Sequence, residues 1–339
     1  MTLVACLGGG QLGRMLALAA APLGVRFRFL DPAPDACAGG VGELLVGAFD
    51  DPALLDRLAE GAAAVTYEFE NVPVEAARRL GALPDARALA AGQDRLAEKR
   101  LFRRLGIPTP RFGTLAETGL PALVKTRRLG YDGKGQRLLE APAAIGEDEL
   151  AEEVVRFERE LAVLAVRGAA GETAFYPLVE NEHRGGILAV SRAPAERAPQ
   201  AEAEAFARRL LDELGYVGVL ALELFEAGGR LLANELAPRV HNSGHWTIEG
   251  ALTSQFENHV RAILGLPLGA TAARGRSVMV NLVGSLPPLE RLLAVPGAHV
   301  HLYGKTPRPG RKLGHVTLVD APEEAVAEVA TLAREAWRA

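Results

Sequence analysis

Cysteine is nearly absent: Cys6 and Cys37 are the only two in 339 residues, too few for a disulfide framework or a zinc site. Both read as free thiols, Cys6 in a core strand and Cys37 in a loop-like segment. No apolar stretch approaches the roughly 18 residues of a membrane span, and the start Met1-Thr2-Leu3-Val4-Ala5-Cys6 lacks the basic region of a signal peptide. The expected location is the cytoplasm, with no membrane partner. An excess of positive charge is missing too: 38 Lys+Arg stand against 42 Asp+Glu, a net charge of -4. A dedicated nucleic-acid binder needs a basic face, so no nucleic-acid partner is expected and small molecules are.

What is present is an ordinary globular composition, 49% hydrophobic and 24% charged. At roughly 150 residues per domain the length suggests two or three domains. Strand signals at 3–7, 25–30 and 62–67 and a helix at 14–21 describe a small parallel α/β unit over the first ~90 residues. A helix at 94–105, with Leu96, Leu101 and Leu105 along one side, opens a second region. Strands at 122–125, 161–166, 219–225 and 230–236, a glycine-rich loop at 130–136 and a helix at about 201–214 follow, with 193–204 read as a flexible connection. Short strands at 277–282, 299–303 and 315–319 and a helix with the stripe Val326, Val329, Leu332, Ala336 close the chain. The expected fold class is therefore α/β and α+β.

Gly8-x-Gly10-x-x-Gly13 between a strand and a helix, with Asp31 ending the next strand, formally satisfies the dinucleotide fingerprint. The α/β unit is too short for a two-halved dinucleotide fold, and nothing downstream suits hydride transfer. What survives is narrower: glycines admit a ligand to the backbone, and free amides at the helix start favour an anion.

Another set of residues fits one ATP site. Lys125 closes an apolar strand, where a rigid element can aim its ammonium at a phosphate. The loop Gly130-Tyr131-Asp132-Gly133-Lys134-Gly135-Gln136 is not a Walker motif, and suits a lid over a triphosphate. Glu223 and Glu235 interrupt apolar strands around Gly228-Gly229, and buried acids require a compensating partner. A two-residue turn alone pairs Glu223 with Asn234; a three-residue loop or a bulge pairs it with Glu235. Both carboxylates are expected on one face, beside Asn234, because a magnesium ion needs oxygen ligands from one side. The polar loop 237–246 contains Ser243 but no nucleophile elbow, so acyl-enzyme chemistry is disfavoured. Its Arg239, with His241, Asn242 and Lys125, supplies candidates for the chemical step, Arg239 being suited to an oxyanion or phosphoryl group. Lys305, Arg308, Arg311 and Lys312 surround Pro-Gly punctuation and suit a second phosphate-bearing substrate.

These segments resemble the ATP-grasp superfamily and, within it, the N5-carboxyaminoimidazole ribonucleotide synthase family. The resemblance runs through GGGQLGRM (8–15), TYEFENVP (66–73), DRLAEKRLF (94–102), VKTRRLGYDGKGQ (124–136), FYPLVENEHRGGIL (175–188), GVLALELF (218–225), NELAPRVHNSGHWT (234–247) and RPGRKLGH (308–315). It implies an ATP-grasp fold: an N-terminal parallel α/β domain (1–92), an ATP-grasp domain (93–267, lid subdomain about 112–180) and a small β-rich C-terminal domain (268–339). It also implies ATP- and bicarbonate-dependent carboxylation of 5-aminoimidazole ribonucleotide (AIR) by a magnesium-dependent homodimer, releasing ADP and phosphate. Implied nucleotide contacts are Arg95, Lys125, Gly130 to Gln136, Glu152, Glu153, Val154 and Val155 along the adenine, Glu160 on the ribose, His183, Asn234 and Glu235. Glu223 and Glu235 match the metal ligands. Gln11, Leu12, Glu68, Tyr131, Lys134, Lys305 and Arg311 match the AIR set, with Glu70 an alternative to Glu68. Lys134 stands where some relatives have arginine, whose fork a lysine cannot reproduce. The alternatives are another ATP-grasp ligase, such as a formate-dependent glycinamide ribonucleotide transformylase, and an idle nucleotide-binding regulator.

Overall fold

A computed structural model describes residues 2–130 and 135–338. The first sheet is parallel, with strands β1 (Thr2–Leu7), β2 (Val25–Asp31), β3 (Glu43–Val46) and β4 (Ala64–Tyr67) in the order β3-β2-β1-β4. Val4, Ala5, Cys6 and Leu7 are fully buried, as a strand covered on both faces requires. Helix Gln11–Ala20 covers one face and packs on helix Gln255–Ile263 from far along the chain, so the largest core cluster joins the N-terminal sheet to the centre of the molecule.

A second sheet holds β5 (Phe112–Gly113), β6 (Ala122–Thr126), β7 (Gln136–Leu139) and β8 (Glu149–Glu153) in the order β5-β8-β6-β7. The third and largest contains β9 (Arg159–Arg167), β10 (Thr173–Phe175), β11 (Val179–Arg184), β12 (Ile187–Ala193), β13 (Gly218–Ala227), β14 (Arg230–Ala237), β15 (Ser277–Val283), β16 (His299–Leu302) and β17 (Lys312–Val319). Its order is β14-β13-β9-β11-β12-β15-β17-β16, with β10 on β9.

This topology departs from the sequence reading in three places. The small sheet ends at Glu153, and β9 enters the large sheet, so a lid drawn over about 112–180 mixes two sheets. The reason is burial: Leu161 to Val166 are all core, and such a strand needs neighbours on both edges. β15 pairs with β12, so the C-terminal strands continue the large sheet across the expected boundary at 267/268. The connector expected over 193–204 shrinks to residues 194–199, because helix Gln200–Glu213 begins inside it.

Helix Arg95–Arg104 shows a subtler departure. It buries Glu98, Lys99, Leu101 and Phe102, while Leu96 and Leu105 are only half-buried. Two of its inward positions are charged.

His259 ties three elements together. Its Nε2 lies 2.9 Å from Thr66 Oγ1 on β4, and its Nδ1 accepts the Val219 amide of β13 at 3.1 Å, so Nε2 carries the proton and donates to the hydroxyl. Burial pushes this ring down to about 4 from its ordinary 6.5, and pushes His241, His245 and His315 well down too. The folded chain therefore refuses protons that the unfolded chain accepts below pH 6.5. Stability is expected to fall as pH drops from about 6.5 towards 4, with His259 alone contributing roughly 3 kcal/mol of the loss. Urea unfolding across that window tests this: His259→Gln lowers stability at neutral pH through its lost bonds, but flattens the slope.

Candidate active site

The three sheets meet around a cleft of about 990 Å³, near the upper end for small-molecule sites. One wall comes from the N-terminal sheet and the segment before β17: Gln11, Leu12, Glu68, Glu70, Lys305, Arg308 and Arg311. The other comes from Arg95, Lys125, Gly130, Gln136, Glu160, His183, Glu223, Asn234 and Glu235, with Arg239, His241 and Asn242 also on the lining.

The glycine motif at the head of the first wall is filled from within. Gly10 and Gly13 donate their amides to Glu68 Oε1 and Oε2 at 2.9 and 3.3 Å, and Gly9 donates to Asp31 Oδ2 at 2.8 Å. A Cβ on Gly8 or Gly10 would sit 2.8 or 2.7 Å from Glu68 Oε1, and Gly8 has φ +98°. The glycines thus seat a carboxylate of this chain, which corrects the reading of free amides awaiting an anion and leaves no dinucleotide fingerprint to fill. Burial pushes the Glu68 carboxyl up, although the two amides oppose the shift. Lys305 Nζ binds Gln11 Oε1, bringing the basic segment onto the start of the same helix.

On the second wall, β13 and β14 form a hairpin with the two-residue turn Gly228-Gly229, both residues at positive φ (58° and 71°). Ala227 pairs with Arg230 and Leu224 with Ala233. Asn234 is then an extra residue, and Glu223 faces Glu235 across the ladder. The two carboxylates lie on one face despite the two-residue turn, because of the bulge.

Like charges so placed need compensation. Burial and the neighbouring Glu235 push the Glu223 carboxyl up. Burial acts on Glu235 in the same direction, yet Arg95, 2.9 Å from its Oε2, more than offsets this and holds it low. His241 places Nε2 3.3 Å from Glu223 Oε1 and Nδ1 2.8 Å from Ser243 Oγ. Ser243 is fully buried, which agrees with the absence of a nucleophile elbow.

Two residues before His241, the half-buried Arg239 donates to the Glu70 carboxylate, so the segment after β14 spans from the first wall to the carboxylate pair. Asn242 exchanges amide bonds with Asn281 of β15, at 3.2 and 2.7 Å. His183 and Glu160 are joined at 2.6 Å; burial pushes the His183 ring down, but the carboxylate prevails and raises it. Phe157 and Phe225 stack with centroids 4.8 Å apart on the lining.

Not every expected residue lines the cleft. Lys125 Nζ is held by Glu152 Oε2 at 2.9 Å, so the Glu152 carboxylate stands behind the lysine. The Glu153 carboxylate binds Arg111, Val154 is exposed, and residues 152–155 are absent from the described lining. Gly135 also lies off the lining, its carbonyl accepting the Thr126 amide. Tyr131, Asp132, Gly133 and Lys134 lie outside the described residues.

Three family models match successive parts of the chain: a ribonucleotide synthetase preATP-grasp domain at 1–93, an ATP-grasp domain at 101–256 and a phosphoribosylaminoimidazole carboxylase C-terminal domain at 277–329. The N5-carboxyaminoimidazole ribonucleotide synthase of Pseudomonas aeruginosa is 50% identical, over 93% of this chain and 94% of that protein. The chain belongs to the N5-carboxyaminoimidazole ribonucleotide synthase family. Among solved members of this synthase family, the Thermus thermophilus structure superposes with a TM-score of 0.92 at 57% identity, covering 98% of each chain. The Aspergillus clavatus synthase, crystallised with ADP and 5-aminoimidazole ribonucleotide, matches at 0.89 and 31% identity over 100% of this chain and 99% of that one.

For this synthase-family chain, the residue chemistry fits a magnesium ion beside the hairpin. Glu223 and Glu235 offer hard carboxylate oxygens, and the adjacent Asn234 Oδ1 is buried with no hydrogen-bond partner among the described residues. Such an orphaned acceptor is costly unless something meets it. Sequence reasoning missed Glu98, Lys99 and Asn281, which here bond to residues of this chain around the cleft. Their only signal was polarity at positions that a helix or strand turns inward.

Gly10→Ala forces a Cβ into the Glu68 carboxylate. The expected cost is about 1–3 kcal/mol of stability, read by urea unfolding.

Proposed function

We propose that this chain carboxylates the amine of 5-aminoimidazole ribonucleotide with ATP and bicarbonate, giving N5-carboxyaminoimidazole ribonucleotide, ADP and phosphate in de novo purine synthesis. The observation that carries the proposal is one cleft lined by members of both candidate sets: Arg95, Lys125, Glu160, His183, Asn234 and Glu235 of the nucleotide set, and Gln11, Leu12, Glu68, Lys305 and Arg311 of the AIR set. Family membership favours AIR over glycinamide ribonucleotide as the acceptor.

In this reading Arg95 and Lys125 hold the phosphates, Glu160 takes the ribose, and His183, bonded to Glu160, is a further nucleotide contact. Glu223 and Glu235, with Asn234 beside them, would hold magnesium, which when bound neutralises phosphate charge. Glu68, Gln11, Lys305 and Arg311 orient AIR. A bicarbonate oxygen attacks the γ-phosphorus and ADP departs, leaving carboxyphosphate. That species splits to carbon dioxide and phosphate; the AIR nitrogen then bonds to the carbon and loses a proton. Arg239 is permanently cationic and half-buried on the cleft lining, and suits the charge that develops on the transferring oxygens. The neutral His241 and the Asn281-braced Asn242 line the same space. Water exclusion keeps carboxyphosphate from hydrolysis. Three domains near 1–92, 93–267 and 268–339, a homodimer and a cytoplasmic location belong to the same proposal on the strength of the family resemblance.

Purified protein with magnesium, ATP and bicarbonate is expected to release phosphate in response to AIR and not to glycinamide ribonucleotide with formate. Lack of AIR stimulation, or a response to the second pair instead, overturns the reading. Glu235→Gln is expected to lower turnover by about 100-fold, measured in the same assay.

A further inference from the structure

The bulge that brings Glu235 opposite Glu223 inserts a residue into β14, the edge strand of the large sheet, and its unpaired backbone groups need partners. One turn of helix Arg95–Arg104 provides them. The fully buried Lys99 donates from Nζ to the carbonyls of Asn234 at 2.7 Å and Ala233 at 3.4 Å. Glu98 Oε1 accepts the Leu236 amide at 2.6 Å, and Arg95 binds the Glu235 carboxylate. Thr109 Oγ1 also donates to the Ala233 carbonyl, at 2.7 Å, and Pro108 O takes the Ala233 amide. Positions i, i+3 and i+4 of a helix share one face, so Arg95, Glu98 and Lys99 reach residues 233–236 together. Lys99 reaches further still. Its Nζ lies 3.4 Å from Glu152 Oε2, the atom that also holds Lys125.

We propose that Arg95, Glu98 and Lys99 form a register clamp, in which Lys99 is a positioning residue for divalent-cation binding that acts through the backbone of the bulge and never touches the ion. The inference rests on the reading that Glu223 and Glu235 hold the cation. The clamp is needed because a two-residue turn without the bulge puts Asn234 opposite Glu223 and turns Glu235 to the other face. Lys99 pins the extra residue from its carbonyl side and Glu98 pins the strand just beyond it. Losing Lys99 removes the donor to the Asn234 carbonyl, leaves the Ala233 carbonyl to Thr109, and frees the bulge to shift.

The test uses the full chain with Mn2+ as probe. Mn2+ affinity in the presence of ADP is read by electron paramagnetic resonance, ADP affinity is measured without metal, and thermal midpoints are recorded for each variant. Lys99→Met is expected to weaken Mn2+ binding about 10-fold or more, with metal-free ADP affinity within about twofold of the parent. Thr109→Val, which keeps the lysine and removes one donor to the Ala233 carbonyl, is expected to show the same split at about threefold and serves if Lys99→Met fails to fold. Glu235→Gln is the control for the underlying reading. If it binds Mn2+ like the parent, the metal assignment fails and the clamp falls with it. If it loses Mn2+ while Lys99→Met or Thr109→Val keeps it, or if the variants lose ADP and Mn2+ alike, the clamp alone is overturned.

Discussion

Two carboxylates held on one face of a hairpin repel each other, and much of the surrounding structure answers that repulsion. Glu223 and Glu235 face each other because Asn234 is bulged out of the ladder. Arg95 pairs with Glu235, and the neutral His241 stands beside Glu223. The strands carrying them are otherwise core, with Leu222, Leu224, Ala233 and Leu236 buried, so the acids cannot turn away without dragging apolar neighbours into water. The cleft owes its acidic patch to this stiffness. A divalent cation is the natural further answer to such charge, in keeping with the proposed ligase chemistry.

The opposite wall solves a related problem by different means. Glu68 is buried, but backbone amides of the glycine turn take its oxygens, and the absence of side chains on Gly8 and Gly10 is what lets it in. A loop that looks like a phosphate cradle is a carboxylate cradle. Between the walls, the segment after β14 alternates its attachments: Arg239 to Glu70, His241 to Glu223, Asn242 to Asn281. Each side chain is tied to a different element, so a shift of either wall reaches the residues proposed to act on the transferring group.

The chain's own motifs made much of this legible. Family-specific runs such as GGGQLGRM and NELAPRVHNSGHWT carry local chemistry, and so do the strands that flank them. Lys125 near the end of β6, the Glu160–His183 pair and the basic segment 305–312 all lie on or beside the cleft. Two features escaped the motifs for one shared reason: the helix at 95–104 buries Glu98 and Lys99 beside its leucines, and the glycine turn, read as favouring an outside anion, is filled from within. In both, a charged group of this chain occupies the place, supplied by a partner far away in sequence: Glu152 for Lys99, Glu68 for the turn. Hydrophobic periodicity has no means of signalling a buried charge, because the compensation is not local.

By itself the sequence determined which residue types stand where, the alternation of strands and helices, and the turn Gly228-Gly229, whose two positive φ values glycine adopts without strain. Only the tertiary structure decided that β9 and β15 join one large sheet across the expected boundaries, that Glu152 stands behind Lys125 rather than on the cleft, and that Glu235 faces Glu223. These depend on which backbone groups find partners once the chain is packed. The bulge shows why: residues 233–236 are held by residues 95–109, and that match exists only after more than a hundred intervening residues have folded.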